Sequence, residues 1–296
     1  MATTAARRAA WQTRVLLGVA WLGILVASDL PAIIIGSGFA VNPQVYRLVT
    51  ALILLALLAL TASVSWLVAL RGAMLALVAL TIGQLARQLI EITPWWTSTV
   101  GRLPADVQIL ADSLVGFIPA ALMVGASLWE GLDRSDIYLA WGDLRASSSI
   151  GWRGHNLHWT TLGPILAVLF SVGLVVQLLL TVRPDASLVG RLAGAIPLAL
   201  LFALANPVAE EVRYRCVLLA RLEPAIGGAM AMLATSALFG VAHWSGHPSG
   251  PTGVFLAGLA GWFWALSIRE TRGIGWAWIT HGIQDFIILL VVALAP

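Results

Sequence analysis

Asn206-Pro207-Val208-Ala209-Glu210-Glu211-Val212-Arg213-Tyr214-Arg215 places two adjacent carboxylates and two arginines in a stretch whose flanks suit a lipid bilayer. On a helix, Glu210 and Arg213 form an i,i+3 pair and Glu211 and Arg215 an i,i+4 pair, so each acid has a cation within reach. A charge at mid-membrane costs at least about 2.5 kcal/mol even on lenient insertion scales. Four of them together mark a place where the chain uses polarity.

Working outward, the composition agrees with a membrane setting. The 296 residues are 59% hydrophobic and 10% charged, with mean hydropathy +0.91, whereas soluble domains carry about 25% charged residues. All 17 basic residues are arginine, and the net charge of +3 is too small and too scattered for a nucleic-acid partner. The single cysteine, Cys216, excludes an intramolecular disulfide. It reads as a small packing residue.

A helical span needs about 20 apolar residues. By that rule spans are expected near 15–36, 48–70, 73–91, 109–130, 159–182, 189–206, 226–243, 252–268 and 274–295, eight or nine in all. The sixth is expected to continue to about Leu222, bent at Pro207. The apolar run after Arg7, Arg8 and Arg14 continues past Ile35, too long for a cleavable signal. The expected fold is therefore an all-α polytopic bundle. Its parts are an N-terminal segment (1–14), four spans (15–130), a loop (131–158) and a C-terminal membrane domain (159–296).

Arginine placement sets the expected orientation. A cytoplasmic N-terminus puts Arg7, Arg8, Arg14, Arg71, Arg134, Arg145, Arg153, Arg221, Arg269 and Arg272 inside, and Arg47, Arg102, Arg183 and Arg191 outside. A multi-pass protein of the cell membrane is expected, with lipid as its surroundings. Trp95, Trp96, Trp129, Trp159, Trp244 and Trp276 fall near span ends, as interfacial tryptophans do. Asp29, Arg87, Glu91 and Asp112 also lie near span ends, where water and snorkelling accommodate them. His155 and His158 read as solvated loop residues.

Three polar motifs occur in order in the second half. Glu210-Glu211-x-x-x-Arg215 is followed by Phe239-x-x-x-His243, with Trp244, Ser245, Gly246, His247 and Pro248 after it, and then by His281-x-x-x-Asp285. At i,i+4 spacing, His281 and Asp285 share one helix face, and Phe239 stands one turn before His243, where its ring can wall a pocket. Ordinary interhelical hydrogen bonds return only about 0.6 kcal/mol on average. That return accounts for a lone polar residue better than for two acids, two arginines and two histidines.

The ordered set E-E-x-x-x-R, F-x-x-x-H and H-x-x-x-N/D resembles the CPBP family of CAAX-type and bacteriocin-processing membrane endopeptidases, also called Abi. The resemblance covers roughly residues 160–296. It implies that Glu210 activates a water with help from His243, that Glu211 and Arg215 orient the site, and that His281 and residue 285 face the scissile carbonyl. Here residue 285 is aspartate, a departure from those members that carry asparagine. An ionised carboxylate repels an oxyanion, so either Asp285 is protonated or, as the favoured expectation, it orients and charges His281, which then donates.

The chemistry is coherent by itself. No serine or cysteine stands in a triad-like setting, which leaves water as the nucleophile. Zinc is the alternative cofactor, with Glu210, His243 and His281 as ligands, but no H-E-x-x-H is present and arginine beside the ligands disfavours a dication. The expected partner is a peptide or protein substrate. The rival function is a non-catalytic one: a transporter or proton relay, or a degenerate scaffold or immunity protein.

Overall fold

The computed structural model describes residues 4–36, 41–181, 188–246 and 248–294. His247, Arg183 and the expected span ends at 182 and 295 lie outside them. The chain is a helical membrane bundle: α1 (Thr4–Ala27), α2 (Leu30–Gly36), α3 (Pro43–Ser63), α4 (Arg71–Glu91), α5 (Pro94–Ser98), α6 (Ala105–Val115), α7 (Phe117–Trp129), α8 (Trp159–Thr181), α9 (Leu188–Glu211), α10 (Val217–Ile226), α11 (Gly228–Ala242), α12 (Gly250–Thr271) and α13 (Gly275–Leu294). Eight helical stretches among the described residues are long and apolar enough to cross a membrane. The ninth, α11, has only 15 residues, a rise of about 22 Å against a hydrocarbon core of about 30 Å. Its shortness ends the helix at His243 inside the bundle, where a full-length span would carry that residue to the far surface.

Several expected span ends move. The first span starts at Thr4 and breaks after Ala27, where the Ser28 hydroxyl turns back to the Leu25 carbonyl. Asp29, in that break, pairs with Arg47 of α3. The fourth is two helices, α6 and α7, meeting at Gly116. No break occurs at Pro207: α9 runs through it to Glu211, and the irregularity follows as a π-helical turn, Val212–Cys216. Proline at 207 has no N–H for the carbonyl of Ala203. That carbonyl lies where α13 comes close, since a Cβ on Gly282 would sit 2.7 Å from it.

The loop 131–158 is not wholly irregular. Ser147–Trp152 (β1) and His155–His158 (β2) form an antiparallel hairpin. Its turn residues Arg153 and Gly154 have φ of 51° and 84°, the left-handed pair of a tight hairpin turn. The loop is clamped to the last two helices: Ser149 and the Trp159 indole both donate to Glu270, and Trp276 Nε1 donates to the Leu144 carbonyl. Trp159 is thus buried, not interfacial, because its N–H has a protein partner, while Trp129 is 88% exposed. His155 and His158 are exposed, with the His158 ring on the Arg145 carbonyl.

One apolar core joins α1, α4 and α7 to α10–α13 through Ile137, Tyr138 and Trp159 of the loop region. Glycine sets the tightest crossing in the N-terminal spans, as a Cβ on Gly83 of α4 would lie 2.3 Å from Pro119 Cα in α7. Backbone cannot yield as a side-chain tip can, so Gly83→Ala is expected to cost about 1–3 kcal/mol. Thermal unfolding in detergent measures this; an unchanged midpoint would mean that α4 and α7 separate freely.

Candidate active site

The π turn follows directly on Glu211 and widens the helix where both acid–arginine pairs lie. Such turns are frequent at functional sites. Arg215 is fully buried and donates from Nη1 to Glu211 Oε1 at 2.5 Å and from Nε to the Gly261 carbonyl at 3.1 Å. Its guanidinium lies over the rings of Phe239 (3.9 Å) and Trp264 (4.9 Å). Gly261 is needed there, since a Cβ would stand 2.7 Å from an Arg215 nitrogen. The second pair is looser, with Arg213 Nη2 3.4 Å from Glu210 Oε1 and Nε on the Ala209 carbonyl.

Histidine 281 joins the two glutamates. Its Nδ1 donates to Glu211 Oε1 at 2.7 Å, and its Nε2 faces Glu210 Oε2 at 3.5 Å and Asp285 Oδ1 at 3.6 Å. The ring is stacked on Trp264, centroids 4.0 Å apart and 13° from parallel. A carboxylate at Nδ1 fixes ring orientation and tautomer. The close orienting partner is therefore Glu211, where the sequence suggested Asp285. Asp285 instead accepts from the side-chain amide of Asn206 at 2.9 Å.

Phe239 is 1% exposed and forms the hub of the aromatic cluster. Its ring meets His243 at 4.2 Å, Tyr214 at 5.4 Å, Trp264 at 5.8 Å and His281 at 5.9 Å. It is packed beneath the polar groups more than it walls an open pocket. His243 Nδ1 lies 2.9 Å from the Phe239 carbonyl. A carbonyl only accepts, so Nδ1 carries the proton and Nε2 of the neutral ring keeps its lone pair.

All seven residues singled out by motif thus lie in one constellation contributed by α9, the π turn, α11 and α13. Glu210 keeps 16% of its side chain accessible, while Glu211 and Arg215 have none. Asn206, Trp264 and Gly261 belong to the same constellation and were not anticipated. Asn206 carried a signal, the i,i+4 spacing to Glu210. Trp264 and Gly261 carried none, because their contacts come from the crossing of α12 over the motif helix. Arg87 and Glu91, four residues apart on α4, pair at 2.5 Å. Cys216 is buried and unpaired by any disulfide.

Fold and site together define a polytopic membrane protein with a buried acid–arginine–histidine centre. Residues 192–287 match the family described as type II CAAX prenyl endopeptidase Rce1-like, a protease family, and every motif residue lies inside that stretch. The matched stretch lies within residues 160–296, where the ordered motifs resemble the CPBP family. No curated protein and no solved structure matches the chain.

Proposed function

We propose that the chain is an intramembrane endopeptidase that hydrolyses a peptide bond with a water activated by Glu210. The observation supporting this most directly is the convergence of Glu210 and Glu211 of α9 with His281 of α13, Oε2 of the partly accessible Glu210 lying 3.5 Å from His281 Nε2. Glu210 takes a proton from the water as it attacks the carbonyl carbon, assisted by the free Nε2 of His243. The N–H of His281 Nε2 donates a hydrogen bond to the carbonyl oxygen as it gains charge and keeps its proton throughout. Glu211 and Arg215 hold His281 in place, and the amine leaves with the proton taken from water. The N-terminus lies in the cytoplasm of a cell-membrane protein on this reading, supported by the arginine asymmetry.

On this reading the site works without zinc. Among the described residues no group of three or more His, Cys, Asp and Glu is placed to hold a metal, the His281 Nδ1 is occupied by Glu211, and two arginines adjoin the acids. Cleavage is therefore expected to persist in the presence of strong chelators. The assay is release of fragments, read by mass spectrometry, from a mixed library of farnesylated and unmodified peptides incubated with the full chain in proteoliposomes. Loss of cleavage with chelator and its return with zinc would overturn the metal-free mechanism. His243→Ala is expected to lower the rate about 10²-fold or more, the lower end of general acid–base contributions, with insertion into the membrane unchanged. A full rate would remove His243 from the mechanism.

A further inference from the structure

Three acids converge on His281, and two have arginines: Glu210 has Arg213 and Glu211 has Arg215. The third, Asp285, is 4% exposed and holds the amide of Asn206 instead. A buried carboxylate needs donors to offset lost hydration. Asn206 is itself 7% exposed and stands one turn before Glu210 on the same face of α9. Its amide crosses to α13 beside a close approach of the two helices, at Ala203 and Gly282. One Asp285 oxygen is thereby occupied, and the other lies 3.6 Å from His281 Nε2.

We propose that Asn206 is a positioning residue of the site: its side-chain amide holds Asp285 by Oδ2 so that Oδ1 faces His281 Nε2. It supplies from α9 the amide that position 285 lacks, and it couples the helix carrying Glu210 to the helix carrying His281. Asparagine suits this task because its planar amide donates to a carboxylate without adding charge. The inference rests on the endopeptidase reading, since the orientation of His281 matters through the reaction it serves.

The test uses the full chain in proteoliposomes and the most rapidly cleaved peptide of the mixed library. Asn206→Ala is expected to lower kcat about 10–100-fold, the usual cost of losing an orienting partner, with KM within twofold and a lowered thermal midpoint, since it strands the buried Asp285 carboxylate. Asn206→Asp sets two carboxylates against each other and is expected to be less active still. The double exchange Asn206→Asp with Asp285→Asn restores one donor facing one acceptor, and kcat is expected to recover at least tenfold over Asn206→Asp alone. Wild-type kcat in Asn206→Ala, with Glu210→Gln inactive in parallel, would overturn this inference and leave the peptidase reading standing. A double exchange that recovers thermal stability without kcat would reduce the pair to a structural cross-link and overturn it as well. A wild-type chain that cleaves nothing in the library overturns the peptidase reading, and this inference with it.

Discussion

Glu210→Gln is expected to reduce peptide cleavage by about 10²–10⁴-fold, the contribution of a positioned general base. The substitution is nearly isosteric and keeps a polar side chain beside Arg213 and His281, so the helix crossing is expected to survive. What it removes is the carboxylate that accepts a proton from water. Because Glu210 is the accessible acid of the adjacent pair and Glu211 is sealed, the two glutamates are not equivalent. The measurement is the initial rate in proteoliposomes, alongside expression, membrane insertion and thermal midpoint. A Glu210→Gln protein that cleaves at the wild-type rate would end the mechanism as drawn.

The second large effect concerns stability. Arg215→Ala is expected to cost about 3–5 kcal/mol, the range for removing one partner of a buried pair. The side chain is 0% exposed, makes the 2.5 Å bond to Glu211 and fills the space over Phe239 and Trp264. Its loss strands a carboxylate with only His281 as donor and opens a void between aromatic rings. Removing both charges, in Glu211→Gln with Arg215→Met, is expected to recover much of that loss. The reason is that a buried ion pair gains little over well-packed neutral groups of similar volume. Activity is expected to remain low in the double variant, because His281 loses its carboxylate partner. Thermal unfolding in one detergent compares the three proteins; an Arg215→Ala midpoint equal to wild type would show that the pair contributes no net stability.

The membrane class and the motif residues were legible in the chain because both depend on local rules. Hydropathy over about 20 residues marks a span whatever its neighbours do. Glu211 with Arg215 and Arg87 with Glu91 follow from helix periodicity alone, and both pairs form. The 131–158 hairpin was missed because the left-handed Arg153-Gly154 turn is a faint signal in an otherwise irregular polar loop. Trp159 and Trp276 looked interfacial because an indole at a span end usually meets water. Here Glu270 and the Leu144 carbonyl take that place.

The stretch from Asn206 to Arg215 shows the division most clearly. By sequence alone it is a helix bearing two acid–arginine pairs in an apolar setting, since helical spacing and the cost of intramembrane charge require no knowledge of other helices. Only the tertiary structure decided which partners these groups take from other helices. His281 crosses from α13 to Glu211, Gly261 admits Arg215 from α12, and Asn206 reaches Asp285. Those assignments depend on where helices cross and how short α11 is. Such long-range geometry is set by packing, which no local periodicity encodes.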